Sequence, residues 1–191
     1  MWRFFVIILF MTLSLFFNLF TTFGAIILVL LTASIYIAAY SKNPKAIAFN
    51  NFFARNATVL ILISTFLAVA GSLVYSEIFK FAPCVLCWWQ RIFIYPVFII
   101  ALVAFLKKDK TSLYQYINPM MWIALLFSLY HNYLIVAVQK YDSVFCIPNT
   151  TETCSSRFVD IVSVIDIPFM ALAIILFVLC LSFIATKNKQ G

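Results

Sequence analysis

Cys84 and Cys87 stand three residues apart where an apolar run begins, in Pro83-Cys84-Val85-Leu86-Cys87-Trp88-Trp89-Gln90-Arg91. If Cys84 opens a helix, the two thiols share a face and Arg91 lies one turn further along it. A helix start supplies unpaired N–H groups and a positive dipole end, and Arg91 adds a permanent cation. Both favour thiolate over thiol, the form a cysteine needs to exchange disulfides. The plain alternative is a pair of small buried hydrophobes, since free cysteine is commonly buried. The cation beside the pair, and a second pair at Cys146 and Cys154, weigh toward redox chemistry.

The elements that must position these groups are set by composition. Of 191 residues, 65% are hydrophobic, 10% are charged and three are glycine. No soluble globular chain of this length needs so much apolar surface, so the surrounding solvent is mostly lipid. The 13 Lys and Arg against 6 Asp and Glu would suggest nucleic acid in a soluble protein. Here the bases fall in short clusters between apolar runs, the pattern that encodes membrane topology, and nucleic-acid binding is rejected.

Residues 4–40 carry no charged side chain. As one helix they would extend about 55 Å, against a hydrocarbon core of about 30 Å. Asn18, Thr21, Thr22 and Gly24 interrupt the run near its middle, so the expectation is a hairpin of two spans. A cleavable signal peptide competes, because Arg3 precedes an apolar core, but the stretch is much longer than such a signal needs. A polar link over 41–57 follows, which divides the chain into an N-terminal unit, 1–57, and a core unit, 58–191. Core spans are expected over about 58–74, from Cys84 to just before Lys107, from Asn118-Pro119 to about Val138, and from Asp166-Ile167-Pro168 to Lys187. Pro96 should kink the second of these.

The fold class expected is therefore an all-α integral membrane protein: a four-helix transmembrane bundle plus an N-terminal transmembrane hairpin, six spans in all. Alternating sides puts Arg3, Lys42, Lys45, Arg55, Lys107, Lys108, Lys110, Lys187 and Lys189 in one compartment. Only Lys80, Arg91, Lys140 and Arg157 reach the other. This bias makes both termini cytoplasmic and places both cysteine pairs on the outer, oxidising side of the membrane. In the outer loop, 139–165, Phe158, Ile161, Val162 and Ile165 recur at helical spacing, which suggests a short helix lying on the membrane surface.

Four outer cysteines allow three pairings, of which Cys84–Cys87 and Cys146–Cys154 are the local ones. A four-cysteine zinc site is the competing reading, although it would leave the intramembrane charge of Arg91 unexplained. Cys180, deep in the last span, reads as a small hydrophobe. Intramembrane ionisable groups are costly and mark a pathway or a ligand. Arg91 falls roughly 10 Å below the outer end of its helix and His131 roughly 14 Å below the outer end of another. Two helices thus bring polar groups to a similar depth under the cysteine pair. A hydrophobic oxidant arriving through the bilayer would suit that depth, and a quinone headgroup offers carbonyl oxygens to both donors.

These residues resemble the DsbB/BdbC family of disulfide-bond formation proteins over roughly residues 58–186. The resemblance is carried by Cys84-x-x-Cys87 with Gln90-Arg91, by Tyr95-Pro96, by Tyr130-His131, by the outer cysteine pair and by Ile167-Pro168-Phe169. It implies a four-helix bundle that reoxidises an exported thioredoxin-like thiol oxidase and passes electrons to a membrane quinone, ubiquinone or menaquinone. By position, Cys146 would form the mixed disulfide with the partner and Cys154 would resolve toward Cys84. Cys87 would meet the quinone, Arg91 would sit beside its headgroup and His131 would be a looser contact. The outer pair is closer-spaced than in the best-known members, and the N-terminal hairpin has no counterpart in the core family. Vitamin K epoxide reductase-like enzymes do related chemistry but carry the C-x-x-C after the loop pair. A metal-binding or assembly subunit of a membrane complex is the non-enzymatic alternative.

Overall fold

Residues 2–80, 83–137 and 167–190 are described by the computed structural model, and the regular structure among them is entirely helical. The order is α1 (Trp2–Tyr40), α2 (Pro44–Leu73) continued by one π-helical stretch (Val74–Ile78), α3 (Val85–Lys107), α4 (Lys110–Ala137) and α5 (Ile167–Gln190). Helix boundaries follow local chemistry. Asn43 caps α2 by accepting a hydrogen bond from the Lys45 amide at 3.1 Å, with Pro44 at the first helical position. Lys108, in the left-handed region at φ 56°, ends α3. Asp109 then accepts from the Ser112 amide (3.2 Å) and hydroxyl (2.6 Å) at the start of α4.

Helices α2 to α5 pack as a bundle, and α1 lies against α2 and α5. The shared core is apolar, with Ile61, Val97, Ile117, Met121, Ile175, Val178 and Leu181 among its buried members. Large side chains such as Phe16, Phe20, Leu67, Leu106 and Leu126 remain exposed on the outside, as a lipid-facing surface requires. Four helical segments, Thr12–Tyr40, Pro44–Ile78, Val85–Lys107 and Ile167–Lys187, are long and apolar enough to cross a membrane. The more polar α4 packs between α3 and α5 in the same bundle. Inside the bundle the Ser182 hydroxyl donates to Asn118 Oδ1 at 2.6 Å.

Three expectations are corrected. The N-terminal hairpin is instead one continuous helix, α1. Its mid-run polar groups need no turn: the Thr21 hydroxyl lies 3.0 Å from the Phe17 carbonyl and 2.9 Å from the Tyr75 hydroxyl, and Tyr75 donates to Asn18 Oδ1 at 2.8 Å. An isolated glycine in a helix costs only about 1 kcal/mol relative to alanine, too little to break it. The polar link over 41–57 is mostly helical, because α2 starts at Pro44 and runs through the expected unit boundary at residue 57. Pro119 sits inside α4 rather than at its start.

A single α1 also changes where the chain ends lie. Tyr40 meets Lys187 at one end of the bundle, with the Lys187 ammonium 5.6 Å from the ring centroid. Phe17 packs on Tyr75 and Phe79 toward the other end. The N-terminal end of α1 and the C-terminal end of α5 therefore lie at opposite ends of the molecule, not at the same end as a hairpin would require.

Candidate functional site

Cys84 is the N-cap of α3, with extended backbone (φ −67°, ψ 167°), and its Sγ accepts from the Cys87 amide at 3.2 Å. The first turn thus folds the two cysteines onto one another, with the sulfurs 2.8 Å apart. Both are free thiols, Cys84 buried and Cys87 half-buried. The capping role follows from the sequence: the first amides of a helix have no partner within it, and a side-chain acceptor at the cap position takes one of them.

His131 comes in from α4 and is almost fully buried. Its Nε2 lies 3.7 Å from Cys84 Sγ, and its Nδ1 lies 3.4 Å from the Gln90 side-chain nitrogen. An amide nitrogen only donates, so with Gln90 oriented as it stands, Nδ1 accepts and the ring proton sits on Nε2, toward the sulfur. Cys84 lies one residue outside the apolar span of α3. The hydrogen bond from the Cys87 thiol, followed by that from His131, holds the Cys84 thiol far below its ordinary range, at about 4, against the opposing effect of burial.

Arg91 is fixed from α2. Its Nη2 donates to the Ser72 carbonyl at 3.1 Å, and the guanidinium lies 5.4 Å from the Trp88 ring centroid. Tyr95 donates to the Ser72 hydroxyl at 3.3 Å. Ser72 precedes the turn in which the helical ladder lengthens to π spacing, the kind of local change often found at functional sites.

Cys84, Cys87, Gln90, Arg91 and His131 all line one cavity of about 320 Å³. The rest of the lining is mostly apolar and comes from α1, α2 and the first turns of α5. The sequence places Arg91 and His131 at a similar depth under Cys84 and Cys87, and all four line this cavity. Cys146 and Cys154, and the surface helix expected over 158–165, lie outside the described residues. Cys180 is remote: it is half-buried and its thiol lies 3.9 Å from the Thr32 carbonyl of α1. Ser72 and the pairing of Gln90 with His131 were not foreseen. The signal for Gln90 was available, since a polar side chain one position before Arg91 in an apolar run needs a buried partner. The ligand atoms of Cys84, Cys87 and His131 also lie within 4.8 Å of one another, a set able to hold a soft metal ion.

Residues 54–186 match the family described as disulfide bond formation protein DsbB. The chain is 39% identical over 140 residues to a probable disulfide formation protein of Oceanobacillus iheyensis, covering 72% of this chain and 95% of that one. It is 38% identical over 126 residues to probable disulfide formation protein C 1 of Bacillus anthracis, covering 66% and 88%. Disulfide bond formation protein C of Bacillus subtilis is 37% identical over 125 residues, covering 65% and 86%. No solved structure gives a significant match.

Proposed function

This chain belongs to the DsbB family of disulfide bond formation proteins, and from that premise we propose that it is a quinone-dependent thiol oxidoreductase of the bacterial plasma membrane. Its partner would be an exported thioredoxin-like thiol oxidase of the DsbA or BdbD type. The observation that carries the reading is the cavity shared by both thiols, a guanidinium and a buried histidine. Its chemistry fits a quinone: Arg91 offers donors to a carbonyl oxygen and the rest of the wall is apolar. A bound quinone supplies an acceptor for two electrons and two protons.

The chain's own residues do the thiol chemistry. A thiolate of the outer pair, Cys146–Cys154, attacks Cys84 Sγ, the Cys84–Cys87 bond breaks, and its two electrons leave on Cys87 sulfur. Arg91 lies one turn along the same helix from that sulfur. His131 holds its Nε2 proton against Cys84, and Gln90 fixes the ring that carries it. The second thiol of the outer pair then attacks the outer sulfur of the resulting mixed disulfide, forming Cys146–Cys154 and releasing Cys84, so that Cys84 and Cys87 are both reduced. Reforming the Cys84–Cys87 disulfide from this dithiol gives up two electrons and two protons and readies the pair for another exchange. The reading is tested with the purified protein in nanodiscs, a reduced thioredoxin-like oxidase and an isoprenoid quinone. Quinone reduction that ceases when the partner is omitted supports it; partner oxidation with no quinone reduced refutes it.

For topology we propose that α1 crosses once, that the end bearing Lys42, Lys45, Lys107, Lys108 and Lys187 is cytoplasmic, and that both cysteine pairs face outward. Eight of the thirteen basic residues then lie inside, still a positive-inside bias, and the N-terminal end of α1 is outside. A cysteine placed at Lys108 should resist membrane-impermeant thiol reagents in intact cells; labelling there would reverse the orientation. The proximity of Cys84, Cys87 and His131 favours one second reading, a soft-metal site. Metal bound stoichiometrically to the purified protein, with no thiol exchange, would select it.

A further inference from the structure

The cavity has two unlike sides, and the apolar side is built partly by a helix outside the family match. Residues 54–186 match the family, whereas α1 ends at Tyr40. Phe17, Phe20, Thr21, Gly24, Ala25 and Leu28 of α1 nonetheless line the same cavity as Cys84, Cys87 and Arg91. Helix α1 rests on α2 and α5, so it closes from outside the groove between them.

The slot is held open by two glycines. A Cβ added at Gly24 of α1 or at Gly71 of α2 would meet nothing within 4 Å, and both positions line the cavity. At neither position does close packing or unusual backbone demand glycine; what its absent side chain leaves is space. The wall is also anchored. Tyr75, at the π-helical turn, bonds both Asn18 and Thr21, and Phe17 packs edge-on against the Tyr75 ring at 5.3 Å.

A space with charged and thiol groups at one side and mostly apolar surface elsewhere suits an amphiphile with a reactive head and a hydrocarbon tail. We infer that α1 forms the tail-binding wall of the oxidant site, with Gly24 and Gly71 leaving room for the isoprenoid chain of the quinone. This rests on the quinone reading above and adds selection by tail, imposed by a helix outside the family match.

The test compares two naphthoquinones, menadione, which has no tail, and an isoprenoid-tailed form. The tailed form also carries a photoreactive diazirine at its far end. In the wild-type protein the diazirine should label α1 peptides spanning residues 17–28, and excess unlabelled tailed quinone should compete the label away. Gly24→Leu improves helix propensity yet fills the slot. It should lower that labelling and raise the KM for the tailed quinone about tenfold, leaving the menadione KM and thiol exchange with the partner unchanged. Gly71→Leu should likewise lower the labelling and raise the KM for the tailed quinone. Ile27→Ala, on the exposed side of α1, should change neither readout. Labelling confined to other helices, or a Gly24→Leu protein indistinguishable from wild type with the tailed quinone, overturns the inference while sparing the quinone reading. A wild-type protein that reduces neither quinone overturns both.

Discussion

The two sides of the cavity differ in how their residues came to be there. On the α3–α4 side, functional groups sit at helix-periodic intervals within a single family-wide element: Cys84 at the cap, Cys87 one turn on and Arg91 a further turn on. Each is held by short-range bonds or by one neighbouring helix. The α1 side carries no reactive group at all. It meets the site through aromatic packing on Tyr75, two hydrogen bonds to that hydroxyl, and empty space beside Gly24. Chemistry is thus confined to one wall, where a misplaced atom stops the reaction, and fit to the other, where change alters affinity. Substitutions on the two walls should separate accordingly.

The largest effects belong to the sulfurs. Cys84→Ser and Cys87→Ser should each reduce net disulfide transfer to the uncatalysed background, because exchange needs an attacking and a leaving sulfur. Turnover of a reduced partner measures this, and full activity with either serine would end the division of labour between the walls. Arg91 comes next. Arg91→Ala should raise the quinone KM by about tenfold to a hundredfold, the worth of a charged hydrogen bond, and slow exchange as well. Arg91→Lys keeps the charge but loses the planar fork, so it should leave single-turnover exchange largely intact while still raising the quinone KM. If Arg91→Ala matched wild type in both assays, the guanidinium would serve only its contacts with Ser72 and Trp88.

A subtler test of the chemical wall is pH. The Cys84 thiol is held at about 4, by Cys87 first and His131 next, so Cys84 remains a thiolate as pH falls until that value is approached. Removing a partner that lowers the value must move the midpoint upward. In the reduced protein, His131→Ala should therefore shift the pH profile of Cys84 alkylation to higher pH, with a several-fold slower reaction near about pH 5, well below the ordinary thiol range. His131→Gln, which can still donate to sulfur, should recover part of the loss. An unshifted profile in His131→Ala would show that the histidine only fills space. The smallest effect expected is on the apolar wall: Tyr75→Phe gives up the bonds to Asn18 and Thr21 and should lower stability by about 1 kcal/mol. That corresponds to about 2–4 °C in Tm for a chain of this size, with the rate of exchange unchanged. A large drop in exchange rate would make the α1 wall part of the chemistry.

What could be read from the sequence follows the same division. The cysteine cap, the shared face of Cys87 and Arg91, and the depth match with His131 were all legible because helical geometry converts spacing directly into position. The basic clusters that mark one end of the bundle were legible for the same reason. The continuity of α1 was not. Asn18 and Thr21 look like a break in an apolar run, and what makes them acceptable inside a helix is Tyr75, more than fifty residues away. The helical start of α2 within the polar 41–57 stretch was signalled by Asn43-Pro44, a capping pair read as part of a link. Spacing suggests His131 as a contact for the oxidant but cannot show its protein partners, Gln90 and Cys84, which only the packing of α3 on α4 determines.

The central claim is that the Cys84–Cys87 pair hands its electrons to a quinone held in this cavity. The most direct measurement mixes the fully reduced protein in nanodiscs with excess quinone, without any partner, and follows quinol formed and thiols lost on one time course. The account predicts one quinol for each Cys84–Cys87 dithiol converted to disulfide, and no quinol from Cys87→Ser. Dithiol oxidation without quinol, or quinol formed equally well by Cys87→Ser, would contradict it.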